Sequence, residues 1–146
     1  MLDLDSDEED VTFDFPIVLV GFSKGCVVLN QLIHELSTAA TGVDSKLYDF
    51  MSRITTIYWL DGGHNGESNT WITDEKCLYY LAKHIASIRV HVTPYQMNDS
   101  TRPWIRVEQQ LFVDKLRSLG AAVKTKIHFQ DRDPSLYDHF RLLESF

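Results

Sequence analysis

The stretch Phe15-Pro16-Ile17-Val18-Leu19-Val20-Gly21-Phe22-Ser23-Lys24-Gly25-Cys26-Val27-Val28-Leu29-Asn30-Gln31-Leu32 decides the reading of this 146-residue chain. An apolar, β-branched run reads as a buried strand. It breaks at two glycines and resumes with Val28, Leu29, Leu32, Ile33 and Leu36 at helical spacing. Ser23 stands at the apex between Gly21 and Gly25. On a strand–turn–helix this G-x-S-x-G pattern is a nucleophile elbow, in which a sharp turn holds a serine hydroxyl clear of the backbone. Gly21 and Gly25 are expected to let strand and helix pass without a Cβ collision. The N–H of Lys24, aided by the positive end of the helix, is the expected oxyanion donor. The plainer alternative is an ordinary turn with a helix-capping serine.

Whole-chain numbers narrow the class. The net charge is −7, but residues 1–10 hold six acids and no base, so residues 11–146 carry 15 acids against 14 bases. That balance offers no basic face for nucleic acid. No apolar run is long enough for a membrane span. Two cysteines, Cys26 and Cys77, fall in separate expected helices and read as reduced thiols. The six histidines show no metal-ligand spacing, so neither a metal nor a cofactor is expected. Residues 1–11 read as a disordered acidic tail and 12–146 as one partial domain.

Four strand–helix units follow one another. The elbow strand spans residues 12–20, its central run suggesting burial on both faces. The elbow helix runs to about Leu36, and 37–42 is a loop. Asp44-Ser45 caps a short helix through Met51. Residues 54–60 form a second strand ending in the loop Asp61-Gly62-Gly63-His64-Asn65-Gly66. Thr73 caps a helix burying Leu78, Leu81 and Ile85. Residues 88–92 form a third strand, ending at Thr93-Pro94, and 95–102 a loop. A helix from Pro103 carries Val107, Leu111, Leu116 and Leu119 and stops at Gly120. The alternating residues 123–129 form a half-exposed edge strand. Residues 134–146 read as a closing helix with Leu136, Phe140, Leu143 and Phe146 inward. The expected fold is therefore α/β, with about four mostly parallel strands, helices on both faces, and active groups at the strands' carboxyl ends.

The partners of Ser23 follow from chain order, acid and then histidine. Asp99 lies in the loop after the third strand, with an acid-x-x-x-Pro spacing to Pro103. His139 is the only histidine beyond the fourth strand. Their expected roles are general base for His139 and tautomer-fixing carboxylate for Asp99. Asp61, in the loop after the second strand, is the alternative acid, and His64 is placed to shape the pocket. Asp131 and Asp133 rank behind them.

Residues 21–32, Leu60-Asp61-Gly62-Gly63-His64-Asn65-Gly66 and Asp138-His139-Phe140 resemble a eukaryotic mitochondrial α/β-hydrolase-like family, whose human member is named as an open reading frame on chromosome 2. The resemblance covers nearly all of residues 12–146. It implies a serine esterase-like fold, a mitochondrial location and a role in mitochondrial homeostasis. A full α/β-hydrolase has several strands before its elbow, whereas only about fifteen residues precede Pro16 here. The chain is accordingly expected to be the C-terminal half of such a domain, as a fragment, a short isoform or an incomplete gene model. Its elbow strand would lie on an exposed edge, and alone it would be poorly stable and inactive. It contains no targeting segment, so without the resemblance it would be read as cytoplasmic. Two functional readings result. One is a serine hydrolase acting on a small-molecule or lipid ester, thioester or amide. The other is a non-catalytic scaffold that binds a protein or lipid partner.

Overall fold

Residues 14–40, 45–64, 66 and 68–146 are described by a computed structural model of the chain. The acidic tail 1–11, the first residues of the expected elbow strand, and Asp44 as a helix cap lie outside the described residues. Strand β1 (Ile17–Phe22) leads into helix α1 (Gly25–Ala39). There follow α2 (Ser45–Arg53), β2 (Ile54–Leu60), α3 (Glu75–His84), β3 (Ser87–Val92), α4 (Pro94–Met97), α5 (Trp104–Ser118), β4 (Val123–Ile127) and α6 (Leu136–Arg141), which ends in a 3-10 turn, Leu142–Glu144. The fold is α/β.

All four strands are parallel, in the order β1-β2-β3-β4. Every crossover steps to the next neighbour in one direction, so the right-handed rule puts α1, α3 and α5 on the same face. They touch there in that order. Register aligns Gly21 with Trp59 and Trp59 with Val90. These residues, with Ile57 and Ile88, point into the helices and are buried. Trp59 anchors that core. Its ring lies 5.1 Å from Phe112 of α5, and its Nε1 donates to Asn30 Oδ1 of α1 at 3.0 Å.

The opposite face is covered differently. Phe146 packs edge-on against Tyr58 at 5.6 Å, bringing the C-terminus onto the sheet. On β1 the residues of this face, Val18 and Val20, are 52% and 48% exposed. Expected burial of the elbow strand on both faces is therefore corrected to burial on one, because nothing among the described residues covers Val18 and Val20. No helix among the described residues is long and apolar enough to cross a membrane.

Local chemistry sets the element ends. Asp74, not Thr73, caps α3, its carboxylate accepting from Cys77 N at 3.0 Å. Gly120, at φ 82°, stops α5 as expected. On α5 the buried stripe is Ile105, Gln109, Phe112, Val113 and Leu116. Val107, Leu111 and Leu119 face solvent, because two apolar stripes compete and the one holding Phe112 meets Trp59. The last helix also turns the other way from expectation: Leu136, Phe140, Leu143 and Phe146 are exposed, while Asp138, His139 and Leu142 are buried.

Candidate functional site

Ser23 sits between the end of β1 and the start of α1 with φ 53°, the left-handed region that a residue bearing a Cβ rarely occupies. Its backbone is fixed from both sides. Ser23 N donates to Leu60 O at 2.8 Å, and Ser23 O accepts from Cys26 N at 3.1 Å. Such a conformation costs about 1–3 kcal/mol and persists only where surroundings over-determine it. Gly21 makes the tight approach possible, since a Cβ there would lie 2.6 Å from Leu29 Cδ1 and 3.2 Å from Cys26 Cα. Gly25 has open space in the direction a Cβ would take. The expected steric need for glycine thus holds at Gly21 and not at Gly25, because α1 turns away from the strand beyond Lys24. Lys24 is already helical, at φ −61° and ψ −23°. Its N–H makes no hydrogen bond among the described residues.

Below the turn, Cys26 Sγ donates to Gly21 O at 3.2 Å. Burial pushes this thiol up to about 12, against a smaller opposing pull from the Leu60 backbone bond.

The end of β2 supplies a carboxylate. Asp61 is fully buried and also has a left-handed backbone, φ 47°. Its Oδ1 accepts from Thr93 N at 2.7 Å, and its Oδ2 accepts from Thr93 Oγ1 at 2.6 Å. His139 Nδ1 lies 2.6 Å from Asp61 Oδ2. A carboxylate offers only lone pairs, so Nδ1 carries a proton, and in the neutral imidazole Nε2 is then the nitrogen with a free lone pair. The imidazole is held between two rings, Phe22 at 4.6 Å and Tyr95 at 4.9 Å. Phe22 immediately precedes Ser23, so the stack seats the histidine beside the turn. The profile of the C2orf69 family matches residues 4–122. The chain belongs to the C2orf69 family.

Full-length relatives in that family agree. The chain is 49% identical over 128 residues to the mitochondrial protein C2orf69 homolog of Mus musculus, covering 88% of this chain and 34% of that protein. It is 46% identical over 132 residues to the Danio rerio homolog, covering 90% and 38%. It is 46% identical over 147 residues to the Homo sapiens mitochondrial protein C2orf69, covering 97% and 38%. The chain therefore spans little more than a third of the length of these relatives. No solved structure matches it.

In this C2orf69-family chain Asp99 lies in the connection after β3, where strand counting places it, but its carboxylate bonds within that loop and not to His139. Its Oδ1 accepts from Thr101 N and Oγ1 at 2.8 and 2.6 Å, and its Oδ2 accepts from Arg102 Nε at 2.7 Å. The Thr101 bonds first, and Arg102 after them, hold its carboxyl down at about 2. Asp99 reaches the histidine only indirectly: it pins Arg102, whose guanidinium lies 6.0 Å from the centre of the Tyr95 ring, and Tyr95 flanks His139. His64 turns its Nδ1 to Gly66 N at 2.7 Å, and its carbonyl accepts from Arg102. Asp131 and Asp133 are exposed, and Asp138 pairs with Arg132 at 3.0 Å.

Three contributors escape the sequence pattern: Thr93, Phe22 and Tyr95. Thr93 had a signal. Strands β2 and β3 pair Leu60 with His91, so the residue after β2 must meet the residue after β3 if the strands are parallel and equal in reach. Gln96 also packs here, its side chain lying where a Cβ on Gly63 would go.

Proposed function

We propose that Ser23, His139 and Asp61 form the catalytic triad of a serine hydrolase acting on an ester, thioester or amide, and that this is the chemistry of the C2orf69 family. One observation supports it above the rest: a buried, fully bonded carboxylate fixes His139 in the tautomer whose Nε2 can accept a proton, beside a serine held in a strained turn. A structural ion pair would not require the left-handed Ser23, and a capping serine would not require the histidine.

In this reading His139 Nε2 takes the Ser23 hydroxyl proton as Oγ attacks the acyl carbon. Asp61 stabilises the imidazolium that results. The Lys24 N–H, at the positive end of α1, donates to the oxyanion. As the bond to the leaving group breaks, His139 returns its proton to that group, and water then repeats the sequence to release the acid. The pair Phe22 and Tyr95 keeps the imidazole from rotating. Asp99 acts as a positioning residue through Arg102 and Tyr95. Its relatives are named mitochondrial proteins, and in this reading the protein works in mitochondria, in their homeostasis, with the triad acting on a small-molecule or lipid acyl substrate.

Labelling with a fluorophosphonate probe tests this, on this chain and on a form extended upstream, each beside its Ser23→Ala variant. Labelling of the extended form that vanishes in its Ser23→Ala variant is expected. A folded extended form that does not label would overturn the reading in favour of a scaffold that binds a protein or lipid partner, with Ser23 as a turn residue.

A further inference from the structure

A second cluster of reactive side chains lies away from Ser23, where the later turns of α1 cross the start of α3. His34 is nine residues beyond the first residue of α1, about 14 Å along the axis at the usual rise per residue. There Cys77 Sγ lies 3.1 Å from His34 Nδ1 and 3.4 Å from Ser37 Oγ. Asp74, the cap of α3, accepts from Cys77 N through Oδ1 alone, which leaves its Oδ2 free of the cap bond. One donor atom from each of His34, Asp74 and Cys77 lies within 4.8 Å of the other two. Imidazole, thiolate and carboxylate together make the nitrogen–sulfur–oxygen set that zinc accepts, and the sulfur disfavours magnesium and calcium.

We propose that His34, Asp74 and Cys77 form a zinc site that clamps α1 to α3. His34 binds through Nδ1, Cys77 through Sγ after its proton leaves to solvent, and Asp74 through Oδ2. Tetrahedral zinc, with bonds near 2.0–2.3 Å to nitrogen, oxygen and sulfur, needs its ligand atoms roughly 3.3–3.7 Å apart. The sulfur and nitrogen already approach that spacing. Asp74, on an exposed helix end, has only to swing inward. A cavity of about 290 Å³, lined by Asn30, His34, Asn69, Thr73 and Asp74 among others, opens at the site and has room for water as the fourth ligand. Linear spacing concealed the set, because its members come from two helices and the histidine is 40 residues from Asp74.

The metals alone serve as probes of the metal-free protein in the form extended upstream. Cobalt(II) is expected to give a thiolate-to-metal charge-transfer band that saturates at one equivalent. Zinc is expected to displace the cobalt and to raise the melting temperature. Cys77→Ser should abolish the band. His34→Ala should weaken zinc binding tenfold or more. Asp74→Asn keeps a good helix cap and should weaken zinc binding as well. If Cys77→Ser does not fold, the His34 and Asp74 variants, both at exposed positions, decide the matter. Ser23→Ala should bind zinc as the parent does, which separates this site from the proposed triad. No cobalt band and no zinc-dependent stabilisation in the parent chain, or zinc binding unchanged in both His34→Ala and Asp74→Asn, would overturn the proposal.

Discussion

His139 Nδ1 meets Asp61 Oδ2 at 2.6 Å across 78 residues of chain, and the same carboxylate receives both the N–H and the hydroxyl of Thr93. A buried carboxylate with three bonds cannot reorient without stranding a donor. Asp61→Asn keeps its shape but sets an amide beside Nδ1–H and Thr93, favouring the wrong tautomer of His139. Probe labelling of Ser23 is expected to fall by about 10⁴-fold on the precedent of such a change in a serine protease. Asp99→Asn, two contacts removed, is expected to leave labelling within about tenfold while loosening the loop that holds Arg102. Labelling rates on folded variants decide between the two acids; equal losses would refute the assignment of Asp61.

The two glycines of the turn differ in what a methyl group would meet. At Gly21 it would strike Leu29 and the Cys26 backbone, whereas at Gly25 it would meet open space. Gly21→Ala is expected to destabilise by about 1–3 kcal/mol through overpacking. Gly25→Ala, on a helix, is expected to be neutral or stabilising. Thermal melts of both variants check this, and a Gly25→Ala loss as large as that at Gly21 would contradict it.

Periodicity made the parallel sheet and its crossover helices legible, because each strand or helix pattern there serves only packing. It misled at the last helix. Leu136, Phe140, Leu143 and Phe146 share an apolar rhythm, yet the face turned inward holds Asp138 and His139. Bonding His139 to Asp61 requires that rotation, and it overrides the hydrophobic pattern. Which carboxylate bonds His139 did not follow from chain order, for a related reason. Counting strands ranks loops by sequence, whereas the Leu60–His91 register brings the ends of β2 and β3 together and gives Asp61 its Thr93. On α5, Val107 and Leu111 were as apolar as the true core residues, and only the position of Trp59 selects between the stripes.

Cys26 lies directly under the turn and is inert by its surroundings. Burial raises its thiol to about 12, and Sγ donates to Gly21 O. The reactive species is the thiolate. Iodoacetamide is expected to leave Cys26 unmodified in the folded chain at pH 8 and to alkylate it in denaturant. Peptide mapping reads the difference, and native-state alkylation at Cys26 would show that the turn opens.

His128 gives the fold an acid limit. It is buried between His91, at 2.9 Å, and Ser145, at 3.1 Å. Burial first, then Lys126 and His91, push it from 6.5 down to about 4, and burial with Lys126 and Arg89 lowers His91 as well. Since the folded pKa lies below the unfolded one, the unfolded chain takes up these protons first as pH falls. Stability is therefore unaffected by the pair above about 6.5 and declines as pH drops from there through about 4. Asp99 has the same ordering, with 3.8 as its ordinary value and about 2 when folded, so it adds its own loss only below about 4. Melting temperature is expected to fall between pH 7 and pH 5, and His128→Gln should flatten that slope whatever it does to stability at pH 7. A parent chain whose melting temperature is constant across that interval, or a variant with the parent's slope, would show that the buried histidine pair does not govern it.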